Sequence, residues 1–302
     1  MHEPQALVGW VVAVARAQAR RPAVHGDGVR WNYEELWGRA GGIARHLLRD
    51  RGVEPGDRVG LVGTNEPAYL AAYFGVLRAG GVVVPLNAML DVADMRDQLA
   101  HVDAVATIVG AVDAAVRDGL ADALPAWHMN DLRTAATGVL PPTGPGDPAC
   151  IFLTSGSTGR PKGVVHTQAS LLHMALQLAS TLPFGPEERS IAFLPFFAAA
   201  EQVLPVLCTG GSLDVLPGFD PERIAAAARH ATSFDAVPTV MARLLDLAPH
   251  DDLAHLGWVS FASEPMPVGL LHRWWDAQPH CPFRAAVRSR PRCRAQSRLQ
   301  WA

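Results

Sequence analysis

The segment IFLTSGSTGRPKGVVH, residues 151–166, runs from an apolar stretch through hydroxyls and glycines to a lysine, then back to an apolar stretch. The flanking runs IFLT and GVVH predict two strands, and TSGSTGRPKG, 154–163, predicts the loop that joins them. A strand opening into such a loop is how α/β proteins commonly present backbone N–H groups to phosphate. Small residues let the main chain approach the oxygens, hydroxyls add donors, and an ammonium supplies compact positive charge. Lys162 is the only lysine in the chain; every other residue in the Lys+Arg total of 26 is an arginine. Arginine's rigid planar fork does not substitute for a small ammonium that can follow a moving phosphate chain. The plain alternative, a polar surface loop, leaves the placement of the single lysine to chance.

Two familiar nucleotide and nucleophile motifs are excluded by order. A Walker loop needs Gly-Lys-Ser/Thr followed at once by a helix. Here Lys162 follows Pro161 and precedes a strand-like run. The Gly-x-Ser-x-Gly elbow of serine hydrolases is absent as well, because the order is Gly156-Ser157-Thr158-Gly159.

Outward from the loop, short apolar runs alternate with helical periodicity. AVHGDGVRWNY predicts a hairpin, YEELWGRAGGIARHLLRD a helix ending at Gly52, and PGDRVGLVG a buried strand. NEPAYLAAYFGVLRAG predicts a helix, GVVVPL a strand, DVADMRDQLAHV a helix capped by Asp91, and AVATIVG a strand. Beyond the Pro/Gly-rich PPTGPGDP at 141–148, the same rhythm continues to a helix over Pro267–Ala277. This βαβα order predicts an α/β fold of mainly parallel sheets flanked by helices. It divides the chain into 1–145, 146–280 with the loop, and a tail, 281–302.

The 302 residues are 49% hydrophobic and 18% charged, enough for a sizeable core. A net charge of −3 gives no reason to expect nucleic acid as a partner. Setting aside the six arginines of the tail leaves 20 of the 26 basic residues against 29 acidic ones. Cys150, Cys208, Cys281 and Cys293 form no CxxC pair, which argues against a disulfide framework or zinc site and for a reducing compartment. The pairs His166/His173 and His250/His255 lack ligand spacing and a third partner, so no metal site is predicted from them. LVGWVVAVA lacks a basic region before it and reads as an amphipathic first helix, not a signal peptide. IAFLPFFAAAEQVLPVL is interrupted by Pro195, Glu201 and Pro205, and no apolar run reaches the roughly 20 residues of a membrane span. The expectation is a cytoplasmic protein.

The decapeptide resembles the phosphate loop of adenylate-forming enzymes: acyl-CoA synthetases, luciferase-like ligases and nonribosomal-peptide adenylation domains. WNYEELWGRAGGIARHL resembles the family's early helix, and VLRAGGVVVPLN its Ala-Gly-Gly…Val-Pro-Leu segment. FLPFFAAAE lies where the family has Leu-Pro-x-Phe-His, and FASEPMP where a stretch lines the adenine. The resemblance runs from about residue 5 to residue 280 and implies most of the family's large N-terminal domain, incomplete at its C-terminal end. It implies activation of a carboxylic acid by ATP with Mg2+, then acyl transfer to coenzyme A or a carrier thiol, with a fatty or other hydrophobic acid. By resemblance, Thr154, Ser155, Gly156, Ser157, Thr158, Gly159 and Lys162 hold the β- and γ-phosphates, with Lys162 the catalytic candidate. Ala262, Ser263, Glu264 and Pro265 line the adenine, and Phe196, Phe197 and Ala198 border the acyl pocket.

The sequence departs from that pattern in two places. Ala198 stands where many relatives carry histidine or an aromatic, which removes a gate beside the acyl site. The family's Tyr-Gly-x-Thr-Glu, its ribose-binding aspartate and its adenylation lysine have no counterparts here; the lysine is excluded because Lys162 is the only one. In their place residues 281–302 carry Arg284, Arg288, Arg290, Arg292, Arg294 and Arg298 and no acid. So abrupt a change is what a shifted reading frame in GC-rich DNA produces; the alternative is a basic arm. The competing functional expectation is a non-catalytic nucleotide-binding remnant.

Overall fold

The computed structural model describes residues 6–26, 28–132, 138–154, 162–247, 250–261 and 264–285. The chain divides into two compact units at Asp220/Pro221.

The first unit opens with helix α1 (Leu7–Ala17), which buries Leu7, Val8, Val11 and Ala15 on one face, as the amphipathic reading expects. The hairpin of β1 (Pro22–Gly26) and β2 (Val29–Asn32) follows, then α2 (Tyr33–Asp50). Asn32 and Glu35 form a capping box at the start of α2, and Gly52 beyond its end takes φ 68°, a conformation glycine adopts without a Cβ clash. Next come β3 (Arg58–Val62), α3 (Pro67–Arg78), β4 (Val82–Pro85), α4 (Val92–His101) and β5 (Ala104–Val109). Asp91 caps α4, its carboxylate accepting from the Asp94 N–H. Two elements without a clear sequence signal come after it, α5 (Ala114–Ala121) and the three-residue β6 (Ala126–His128). The segment 141–148 then leads within the same unit into β7 (Pro148–Thr154), β8 (Lys162–Thr167) and α6 (Gln168–Thr181). The unit closes with β9 (Arg189–Ala192), α7 (Ala200–Thr209) and β10 (Ser212–Val215).

These strands form two sheets. One has the order β6-β5-β3-β4-β7-β8 and the other β9-β10-β1-β2. The outer hairpins β7–β8 and β1–β2 are antiparallel, and all other pairs in the two sheets are parallel. Parallel strands buried on both faces are continuous apolar runs. All four residues of β4, Val82 to Pro85, are accordingly buried. α3 is buried at every position except Ala68 and Arg78, and its Gly75 lets α2 approach closely. A Cβ at Gly75 would stand 2.5 Å from Ile43 Cγ2. α7, which the sequence reading did not identify, keeps a buried proline, Pro205, inside the helix.

The second unit contains α8 (Pro221–Ala228), β11 (Ser233–Ala236), α9 (Pro238–Leu247), β12 (Trp258–Phe261), α10 (Val268–Ala277) and β13 (Phe283–Ala285). β11, β12 and β13 pair in parallel. β13 carries the α/β rhythm past Cys281, where periodicity stops, because three residues are too few to make a visible period. Its Phe283 is fixed by packing instead, with ring centroids 5.2 Å from Trp274 and 5.9 Å from Phe261.

Candidate functional site

β7 is held between β4 and β8, with Val83 opposite Cys150 on one side and Ile151 opposite Val165 on the other. Ala149, Cys150 and Ile151 are buried, and the strand grows more open toward Thr154. At its carboxyl end Thr154 lies opposite Lys162, and the Thr154 hydroxyl donates to the Lys162 carbonyl at 3.3 Å. Thr154 and Lys162 are therefore brought together across the two strands that carry the ends of the loop. Both are exposed, so the ammonium is open to an anion from solvent. Ser155, Gly156, Ser157, Thr158 and Gly159 lie outside the described residues. A strand, not a helix, follows Lys162, as the exclusion of a Walker loop requires.

The Phe/Ala-rich segment occupies the turn between β9 and α7. The Ala198 N–H donates to the Pro195 carbonyl at 3.0 Å and the Ala199 N–H to the Phe196 carbonyl at 3.3 Å. This turn buries Phe196, half-buries Phe197 and leaves Ala198 exposed. The turn does not stand alone: Asn65, in the loop after β3, bonds to the backbone on both sides of Pro195. No motif in the sequence singles out Asn65; only its polarity just after a buried strand hints at a role. In the second unit Glu264 and Pro265 are exposed between β12 and α10, while Ala262 and Ser263 lie outside the described residues.

Thr154, Phe196 and Glu264 share one feature. Each lies at or just beyond the carboxyl end of a strand, β7, β9 or β12, that has a parallel neighbour. Open α/β sheets bind ligands outside the carboxyl ends of their strands, where the loops are free to vary. Cys150, Cys208 and Cys281 are all buried. Burial pushes the Cys208 and Cys281 thiols up to about 12 and raises Cys150 further, so none is a ready nucleophile. Burial also lowers His166, whose ring packs 5.4 Å from Phe152. Among the described residues no group of three or more His, Cys, Asp or Glu is placed to hold a metal ion. No helix among them is long and apolar enough to cross a membrane.

The family model described as AMP-binding enzyme matches residues 11–286. The chain belongs to the AMP-binding enzyme family. Among curated relatives, this AMP-binding chain is 33% identical over 286 residues to a feruloyl-CoA synthase from Amycolatopsis, covering 90% of the chain and 57% of the relative. It is 30% identical over 234 residues to the long-chain-fatty-acid–CoA ligase FadD13 of Mycobacterium tuberculosis, covering 72% and 46%. The chain thus spans about half the length of these relatives. The crystal structure of the inhibitor-bound N-terminal domain of FACL13 from Mycobacterium tuberculosis superposes with a TM-score of 0.81 at 23% identity, covering 92% of this chain and 74% of that one. ATP-bound MatB from Rhodopseudomonas palustris gives a TM-score of 0.80 at 25% identity, covering 92% and 59%. The fold of this AMP-binding chain is that of the N-terminal domain of adenylate-forming enzymes, mostly parallel sheets flanked by helices.

Proposed function

We propose that this chain is the nucleotide- and acid-binding part of an acid–thiol ligase of the acyl-CoA synthetase type. In the reaction we assign, a carboxylate attacks the α-phosphorus of ATP, pyrophosphate leaves, and the acyl-adenylate passes its acyl group to a thiol of coenzyme A or a carrier. Such a displacement depends on in-line positioning and on neutralising charge on the phosphate oxygens. The observation that carries the reading is the placement of Thr154, Phe196 and Glu264 at or beyond strand carboxyl ends, with Lys162 opposite Thr154, in a member of the AMP-binding family. We assign Thr154 and Lys162, with the loop residues Ser155 to Gly159, to the β- and γ-phosphates. In the second unit Glu264 and Pro265, with Ala262 and Ser263, are assigned to the adenine. Phe196, Phe197 and Ala198 are assigned to the acyl pocket. The chemistry of the set fits ATP, since the exposed Lys162 ammonium offers charge and donors to an anion. ATP in this family travels with Mg2+. Long-chain-fatty-acid and feruloyl-CoA ligases among the relatives support a hydrophobic acid, aliphatic or aromatic.

A second reading is a nucleotide-binding module without turnover. It is favoured by one observation: residues 281–302, which follow the adenine stretch, contain no Tyr-Gly-x-Thr-Glu. Losing one well-placed electrostatic donor costs about 10²–10³ in rate, so the 302-residue chain by itself should turn over slowly at best. Pyrophosphate exchange with dodecanoate or ferulate separates the two readings, because binding alone gives no exchange. The phosphate assignment has its own test in Lys162→Ala. ATP should weaken by about tenfold or more and AMP by less than threefold, since AMP lacks the two phosphates assigned to Lys162; the loss should shrink with added salt. Lys162→Arg should fall between. Equal losses for both nucleotides in calorimetric titrations would remove Lys162 from the phosphate site.

A further inference from the structure

Asn65 joins two loops that the chain separates by about 130 residues. Its Nδ2 donates to the Leu194 carbonyl at 2.8 Å, and its Oδ1 accepts from the Phe196 N–H at 2.9 Å. The two bonds straddle Pro195, which has no N–H to contribute. Asn65 is 4% exposed; its bond from the Phe196 N–H is buried and its bond to the Leu194 carbonyl part-buried. One helical turn on, Tyr69 of α3 sets its ring 5.5 Å from that of Phe196 at an interplanar angle of 50°. Phe196 is thus held from one side by an amide at its backbone and an aromatic ring at its side chain. β3 and β9 belong to different sheets of the first unit, and Asn65 ties the loops at their carboxyl ends.

We propose that Asn65 is a positioning residue that fixes Phe196 and so sets which acids the pocket admits. The proposal rests on the assignment of residues 196–198 to the acyl pocket. The reason for this residue type is its pairing of one donor and one acceptor on a short, neutral arm. Aspartate at this position offers only the acceptor when ionised, and alanine neither group. The turn's own bonds run from the Ala198 and Ala199 N–H groups to the Pro195 and Phe196 carbonyls, so among the described residues it is Asn65 that partners the Leu194 carbonyl and the Phe196 N–H.

The test uses the 302-residue chain and two probes, dodecanoate and ferulate, each titrated with ATP present. In the wild type the Phe196 amide should be protected from hydrogen exchange to a degree comparable with amides of α3. Asn65→Ala should speed its exchange at least tenfold, with Asn65→Asp between, because the acceptor to Phe196 is retained. The ratio of the two acid affinities should shift at least fivefold in Asn65→Ala, while ATP affinity stays within about twofold; a merely structural loss would weaken all three ligands together. In a Phe196→Ala background Asn65→Ala should shift the ratio no further. If Asn65→Ala does not fold, Asn65→Asp carries the same comparison. An unprotected Phe196 amide in the wild type, an unchanged acid ratio in a folded variant, or additive shifts in the double variant overturns the proposal. A wild type that binds neither acid overturns the acyl-pocket assignment instead, and the exchange rates then still decide whether Asn65 holds Phe196.

Discussion

Helix α3 and strand β8 both carry apolar residues, yet nearly all of those in α3 are buried and Val164 and Val165 of β8 are exposed. In α3 all positions but Ala68 and Arg78 are buried. In β8, Lys162 to Val165 are exposed, with Val164 at 45% and Val165 at 57%. The difference comes from neighbours. α3 packs on β3 and β4 on one side and on α2 on another, whereas β8 is the last strand of its sheet among the described residues. Apolar sequence therefore marks a surface that can be buried, and topology decides whether it is. Here the buried element carries the stability, and the open one carries Lys162.

The largest effect should come from truncating the buried side of this comparison. Phe74 is fully buried, with ring centroids 5.5 Å from both Trp37 and Tyr73. Phe74→Ala should cost about 3–5 kcal/mol in urea unfolding, while Val165→Ala in β8 should stay within about 0.5 kcal/mol. Similar costs at the two positions would break the contrast. Adding one methyl is the next step down. Gly75→Ala places a Cβ 2.5 Å from Ile43 Cγ2 and 2.9 Å from Ile43 Cβ, so α2 and α3 must move apart. About 1–3 kcal/mol is expected for such overpacking, and a neutral result would mean that the helix pair is looser than its geometry.

The smallest effect belongs to the hairpin and depends on pH. Burial lowers the pKa of His166 below its ordinary value of 6.5. The unfolded chain then binds a proton more readily than the folded one. Stability is complete above about pH 6.5 and declines as pH falls below it toward the folded value. His166→Gln should flatten part of the loss in urea midpoint between about pH 7.5 and 5.5. An identical pH slope in wild type and variant would place the His166 ring in water.

Much of this architecture is legible residue by residue. Asn32 and Glu35 mark the start of α2, Asp91 that of α4, and Gly52 the end of α2, because caps are local hydrogen bonds and local dihedral choices. Thr154 and Lys162 could be placed at the two ends of a loop because the flanking runs are short and apolar. α5, β6, α7 and β13 were not legible. Phe283 of β13, for one, is fixed by packing against Trp274 and Phe261 of other elements. Pro205 shows the converse: a local helix breaker is tolerated inside α7 where that helix is buried. In the candidate site, motif order pointed to 196–198, yet the residue that holds Phe196 lies in another loop and has no motif.

By itself the sequence determined the α/β class, the caps and turns, the family and the single ammonium beside the glycine loop, since each depends on composition, on periodicity or on neighbours within a few residues. The tertiary structure decided which apolar runs are buried, that β8 turns back antiparallel at a sheet edge, and that Asn65 reaches Leu194 and Phe196. The Asn65 contacts join segments about 130 residues apart. Their cost is the loop entropy and desolvation of closing them, and only the packed sheets and helices of the whole chain offset it.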